Sequence, residues 1–284
     1  MNIAKKIVQG HTTVMQAFSL VLHNKRFMLY SLLVMGVYAL FIVRHFSCLS
    51  EAMSWRSAGA FVGYGLVACI GAILLCNRVL STIKQRPVAV LARLRIEKTL
   101  VAKLAVLIGV YVSVVLLCLM LRTCCLFWYV LARIVSAPLF FIMLFAVFAL
   151  LDEPTTVGQA IKRACAFLWR RWIVLLAALL ELYLIFFVCT FVISLIVGLM
   201  YGIAHWFNVI PALLPVQPDN IQAYVAQLFS SPLVIVITGT LATLMFIAGV
   251  FFMTMLFAVS AILYDSYTRH EHDEDEQLLI TPPM

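Results

Sequence analysis

The sequence predicts an all-α fold: a polytopic membrane helical bundle of six transmembrane helices, arranged as three hairpins that each follow a cytoplasmic amphipathic helix. Three observations carry this. Of 284 residues, 65% are hydrophobic and only 11% charged, whereas a soluble domain carries about 25% charged residues. A core of this size cannot hide so much apolar surface, so the solvent is lipid. Several charge-free runs approach or exceed the roughly 20 residues a spanning helix needs. They are continuous, unlike the short alternating strands of a transmembrane barrel. The third observation is a repeated unit. Residues 12–32 read TTVMQAFSLVLHNKRFMLYSL and residues 155–175 read TTVGQAIKRACAFLWRRWIVL. Both carry TTVxQA, a periodic apolar run, a basic pair (Lys25-Arg26 or Arg170-Arg171) and then a hydrophobic segment.

Residues 1–26 are basic, and Val14, Ala17, Phe18, Val21 and Leu22 recur at i, i+3, i+4, i+7 and i+8, one stripe of a helix. Thr12 or Thr13 is the expected cap, and such a helix lies in the membrane interface without crossing it. The first span is expected over 27–43; it lacks an A-x-A-like cleavage site and should be retained. A polar link over 44–57 carries Trp55 as an interfacial anchor. The second span, 58–80, holds Gly59 and Gly63 in G-x-x-x-G spacing, which suits close packing within one bundle more than a homo-oligomer contact.

Residues 81–103 are strongly basic, with Pro87 in a suitable first-turn position and Arg93 four residues before Glu97. They read as a second cytoplasmic helix, followed by a third span over 104–121. The fourth span, 134–151, contains Pro138 as a kink and leaves Arg133 at the outer interface, since an arginine in hydrocarbon is costly. In 152–172 the stripe is Val157, Ala160, Ile161, Ala164 and Leu168, and span five follows over 173–201. The loop 205–232 predicts a short amphipathic helix after Asp219, built on Ile221, Val225, Leu228 and Phe229. Span six, 233–263, exceeds what a bilayer requires. The acidic tail 264–284 has no periodic apolar pattern and is expected to be disordered. The domain is thus 1–263, in units 12–80, 86–151 and 155–263.

Charge placement sets the topology. With the N-terminus inside, the inner segments 1–26, 77–103, 152–172 and 264–284 hold four, seven, four and one basic residues, sixteen of the 20 Lys and Arg. The bias puts both termini in the cytoplasm. The net charge of +8 sits beside apolar runs, so the bilayer and its anionic lipid headgroups are the expected partners, and nucleic acid is not.

The stretches AFSLVLHNKRFMLYSLLV, APLFFIMLFAVFALLDEPTTVGQAIKRACAFLWRRW and ILYDSYTRHEHDED together resemble a poorly characterised bacterial superfamily of six-span membrane proteins. It includes the YciC-type proteins and the membrane domain that precedes the catalytic domain in some glycerophosphodiester phosphodiesterases. The resemblance covers nearly the whole chain and rests on pattern. It implies a multi-pass protein of the bacterial cell inner membrane and brings no catalytic residues; no segment outside the spans is long enough to be the phosphodiesterase domain.

Glu181 is the one acid well inside a span. An intramembrane carboxyl suggests proton or cation passage, with Asn77 and Arg78 near the inner end of span two as groups that could reach it. A neutral, hydrogen-bonded glutamate in the bundle is the plainer reading. His270-Glu271-His272 reads as a solvated charge run, since a floppy tail holds metal poorly. Glu274, Leu278 and Leu279 form EDEQLL, which resembles an acidic di-leucine sorting signal. Eight cysteines include no C-x-x-C pair, so no metal or redox cofactor is expected; Cys48 with Cys124 or Cys125 is either an outer-face disulfide or free thiols. No nucleophile–base set is recognisable. The expected role is non-enzymatic: a structural, scaffolding or lipid-organising bundle. The alternatives are a transporter or channel using Glu181, or a membrane-resident effector sorted by its tail. A membrane enzyme acting on lipid headgroups would have only Asp152 and Glu153 to draw on.

Overall fold

The computed structural model describes residues 3–32, 34, 36, 55–85, 98–121, 126–206 and 232–280. The described residues are helical and hold no strand. In order they form α1 (Ile3–His23), α2 (Trp55–Ile83), α3 (Lys98–Leu121), α4 (Leu126–Asp152), α5 (Val157–Trp206) and α6 (Pro232–Ile280). Residues 25–32 are helical again after a break at Asn24. By length and composition, two helical stretches can cross a membrane, Val157–Ile203 and Pro232–Arg269. Shorter apolar stretches are Cys69–Ile83, Thr99–Val110 and Pro138–Asp152.

The chain divides into two compact units, one of residues 1–181 with 253–284, the other of residues 182–252. In the first, α3 and α4 form the most extensive helix pair, as their short connection dictates, and α2 packs on both. The helical stretch after Asn24 leans on α2 at Gly71, where a Cβ would lie 2.7 Å from Val34 Cγ2. The core gathers at the C-terminal ends of α4 and α6 and the start of α5. Phe145 meets Phe167 at 4.2 Å between ring centroids, Phe167 meets Tyr267 at 5.2 Å, and Phe148 stacks on Tyr264 at 5.7 Å.

Directly beyond these rings lies a buried ionic cluster. Lys84 follows the last turn of α2, where Gln85 takes a left-handed φ of 52° and Lys84 N–H bonds Leu80 O. That turn aims the ammonium at Asp152, 2.5 Å away at the end of α4, and towards Asp265 of α6 at 4.0 Å. Asp265 also takes Arg269 at 2.8 Å. Both aspartates are buried. One lysine thus joins the end of α2, the end of α4 and the interior of α6. Next door, Thr156 caps α5 reciprocally with Gln159: each backbone N–H bonds the other's side-chain oxygen at 3.3 Å, a capping box that TTVxQ announces. Arg163 closes the turn by pairing with Glu153.

The second unit is an antiparallel helix pair. Val197, Val234 and Ile237 form a buried cluster in it, with Tyr201, Leu233 and Leu241 around them, and Phe186 meets Phe252 at 4.8 Å. Most other apolar side chains point outward, among them Leu195, Ile196 and Leu199.

Several expectations need correction. Thr12 and Thr13 do not cap α1; they lie in its interior and donate to Val8 and Gln9 carbonyls at 2.8–3.0 Å. Residues 3–11 supply enough helix formers to start the helix at Ile3, and the hydroxyls are satisfied by back-bonding. TTVxQA is therefore a cap in α5 and a mid-helix segment in α1. The expected boundary between cytoplasmic helix and span is absent in α5, which is continuous. Helix α4 begins at Leu126 and passes through Arg133 without a break, and α3 begins at Lys98. The tail is not disordered from 264: α6 continues to Ile280, and Tyr264, Asp265 and Tyr267 are buried in the core. Cys48, Cys124, Cys125, Pro87, the Arg93–Glu97 pair and the 221–229 stripe lie outside the described residues.

Removing one partner from a buried ion pair costs about 3–5 kcal/mol because the other charge stays buried. Lys84→Ala should therefore lower the thermal midpoint in detergent far more than Arg163→Ala, whose partner is partly exposed. Lys84→Met combined with Asp152→Leu should recover much of the loss. A Lys84→Ala midpoint equal to that of wild type would remove the cluster from the account of stability.

Candidate functional site

At 3.6 residues per turn, α1 has three faces. Gly10, Thr13, Val14, Ala17 and Val21 share one and are buried. Ile3, Ile7, Val8, Met15, Phe18 and Leu22 share the next and are exposed. Lys5, Gln9, Thr12, Gln16, Ser19 and His23 make the polar third. The stripe expected from the sequence is split: Val14, Ala17 and Val21 pack against protein, while Phe18 and Leu22 face out. His11 falls in the middle of the exposed apolar face.

Three consecutive residues fasten α1 to α5. Arg171 Nη1 donates to Gln9 Oε1 at 3.2 Å. Gly10 rests on the helix itself: a Cβ there would lie 3.1 Å from Ala177 Cβ and 3.2 Å from Ala178 N and Val174 O. Small residues on both sides allow this approach. His11 Nδ1 lies 2.7 Å from Glu181 Oε1. An ionised carboxylate only accepts, so the imidazole N–H donates.

The spacing gives the crossing geometry. Residues 171 to 181 rise about 15 Å along α5, while residues 9 to 11 advance about 3 Å along α1. The two helices cross steeply. The crossing also has a sense: the polar face of α1 turns towards Arg171, and the apolar face bearing His11 turns towards Glu181. Because helical side chains lean towards the N-terminus, the Glu181 carboxylate stands about level with α1.

Glu181 is therefore engaged, by His11 of α1. Asn77 and Arg78 do not reach it; Asn77 Nδ2 and Arg78 Nε are buried without a hydrogen-bond partner among the described residues. Lys25, Arg26 and Arg170 are exposed. Asp152 and Glu153 are held by Lys84 and Arg163. Glu274, Leu278 and Leu279 lie in the helical backbone of α6, and their side chains lie outside the described residues. No group of metal ligands occurs among the described residues. A cavity of about 90 Å³ between α2, α3, α4 and α6, lined by Cys69, Cys76, Leu107, Phe140, Leu144 and Phe257, is apolar and offers no ion path. His11 was missed because the sequence pattern was read from Thr12 onward; continuing the wheel upstream puts it four residues from both Ile7 and Met15.

No protein family, curated protein or solved structure matches the chain.

Overpacking a close contact costs about 1–3 kcal/mol. Gly10→Ala should be tolerated with a small drop in thermal midpoint, since Ala177 need move only slightly. Gly10→Val should free α1 and speed tryptic cleavage after Lys5 and Lys6. Equal proteolysis of wild type and Gly10→Val would refute the crossing as the anchor of α1.

Proposed function

We propose that the chain is a multi-pass membrane protein with a structural, lipid-organising role, and that α1 lies in the plane of the cytoplasmic leaflet. One observation carries the reading: α1 crosses α5 steeply, with its polar face towards Arg171 and its apolar face towards Glu181. If α5 spans the bilayer, a helix across it lies parallel to the surface, and its exposed apolar face points to the hydrocarbon. An amphipathic helix buries that face into the headgroup–acyl boundary. Arg170, Arg171, Lys5 and Lys6 then stand on the cytoplasmic side for anionic headgroups.

The exposure of α5 supports the same solvent. Only 11% of its apolar window is buried, against 61% for α6. Trp169, Trp172, Leu176, Leu180 and Leu184 all face out, a surface that water does not tolerate and lipid does. Six spans in three hairpins, cytoplasmic termini and a place in a bacterial inner membrane complete the proposal; their support is the Lys and Arg bias and the likeness to the six-span superfamily. On this reading the protein is not an enzyme. A transport role for Glu181 has less behind it, because the carboxylate is bound to a helix at the interface and lines no polar cavity among the described residues.

Spin labels on single cysteines test the seating of α1. Labels at Met15 and Leu22 should be accessible to oxygen and shielded from a water-soluble nickel chelate. Labels at Gln16 and Ser19 should behave the opposite way. Equal nickel access on both faces would sink the in-plane placement.

A further inference from the structure

Glu181 offers one oxygen to His11. Its other oxygen, Oε2, meets no described group, and the side chain is 25% exposed while that of His11 is 53% exposed. With Nδ1–H donating to the carboxylate, an imidazole that carries no proton on Nε2 presents that atom as an acceptor. In that form the pair shows two acceptors, Glu181 Oε2 and His11 Nε2. Its surroundings are apolar: Ile7, Val8 and Met15 on α1, and Leu180 on α5, are all exposed. A carboxylate among apolar side chains is costly without a cation, and no described basic side chain other than His11 bonds it. What belongs there carries a positive charge, several N–H donors and hydrocarbon chains beside them.

We propose that the Glu181–His11 pair is a binding site for the primary ammonium headgroup of a phospholipid such as phosphatidylethanolamine in the cytoplasmic leaflet. The ammonium donates to Glu181 Oε2 and to His11 Nε2, and the acyl chains lie along Ile7, Met15 and Leu180. The inference rests on the in-plane seating of α1 for the leaflet it names. It adds a lipid class that the seating alone does not require.

Native mass spectrometry of the full-length protein in detergent tests it, with phosphatidylethanolamine, phosphatidylcholine and phosphatidylglycerol of identical chains. A charge-assisted hydrogen bond suggests a preference for phosphatidylethanolamine over phosphatidylcholine of about tenfold. Glu181→Gln, which keeps the bond to His11, should abolish the preference. Glu153→Gln, remote from the pair, should keep it. Equal binding of the three lipids, or a preference unchanged in Glu181→Gln, overturns the proposal. Should Glu181→Gln fail to fold, the wild type decides. Mono-, di- and trimethylated phosphatidylethanolamine should bind progressively more weakly as N–H donors are lost, and a flat series overturns it. Water-soluble glycerophosphoethanolamine competing as well as the lipid would overturn the assignment to a lipid. The spin-label result is independent: labels in water with the preference intact would fault the seating and leave the site standing.

Discussion

Lys84 holds the end of α2, the end of α4 and the interior of α6 together. In a chain this apolar, most side chains are interchangeable partners, and burial alone does not set which helix ends meet. A buried ammonium does. It must find carboxylates, and among the described residues Asp152 and Asp265 are the ones close enough to neutralise it. The ends of α2 and α4 and the middle of α6 are drawn to one level, and the ring cluster of Phe145, Phe148, Phe167, Tyr264 and Tyr267 packs against them. Desolvation keeps the net gain from such a cluster small. Its larger effect is on register: a slip of one helix by a turn would strand a buried charge.

That fixed base is what lets α1 be placed. α5 leaves the base through the Thr156–Gln159 cap and the Glu153–Arg163 pair, so Arg171, Val174, Ala178 and Glu181 come up on one face. α1 answers with Gln9, Gly10 and His11. The contact is narrow, one turn of α1 long, and it works because Gly10, Ala177 and Ala178 lack bulk. Two polar bonds on either side of the glycine set the rotation of α1, and with it the direction in which its apolar face looks.

Much of this was legible in the sequence. The all-helical class followed from continuous apolar runs and few charges. The buried stripe of α1 followed from Val14, Ala17 and Val21; the reciprocal Thr156–Gln159 cap of α5 came from the structure. The limits of the helices were less legible. Thr12 and Thr13 have the chemistry of caps, yet residues upstream already favour helix, so the hydroxyls bond back into it. The acidic residues after Leu263 have the composition of a disordered tail, yet Tyr264 and Tyr267 are buried and α6 continues through them. In both places a local signal was outweighed by neighbours a few residues away.

The sequence by itself determined the helical class and the periodicity of this protein. Composition decides how much apolar surface must be covered, and spacing decides which residues share a helix face. Only the tertiary structure decided the partners of its charges. Glu181 looked alone because its partner lies 170 positions earlier, in a helix whose pattern says nothing of what it crosses. Asp152 and Asp265 looked like exposed residues at the ends of spans, and Lys84 like one more cytoplasmic cation. Pairings of that kind depend on which helices pack side by side, and the hydropathy of each segment carries no record of its neighbours.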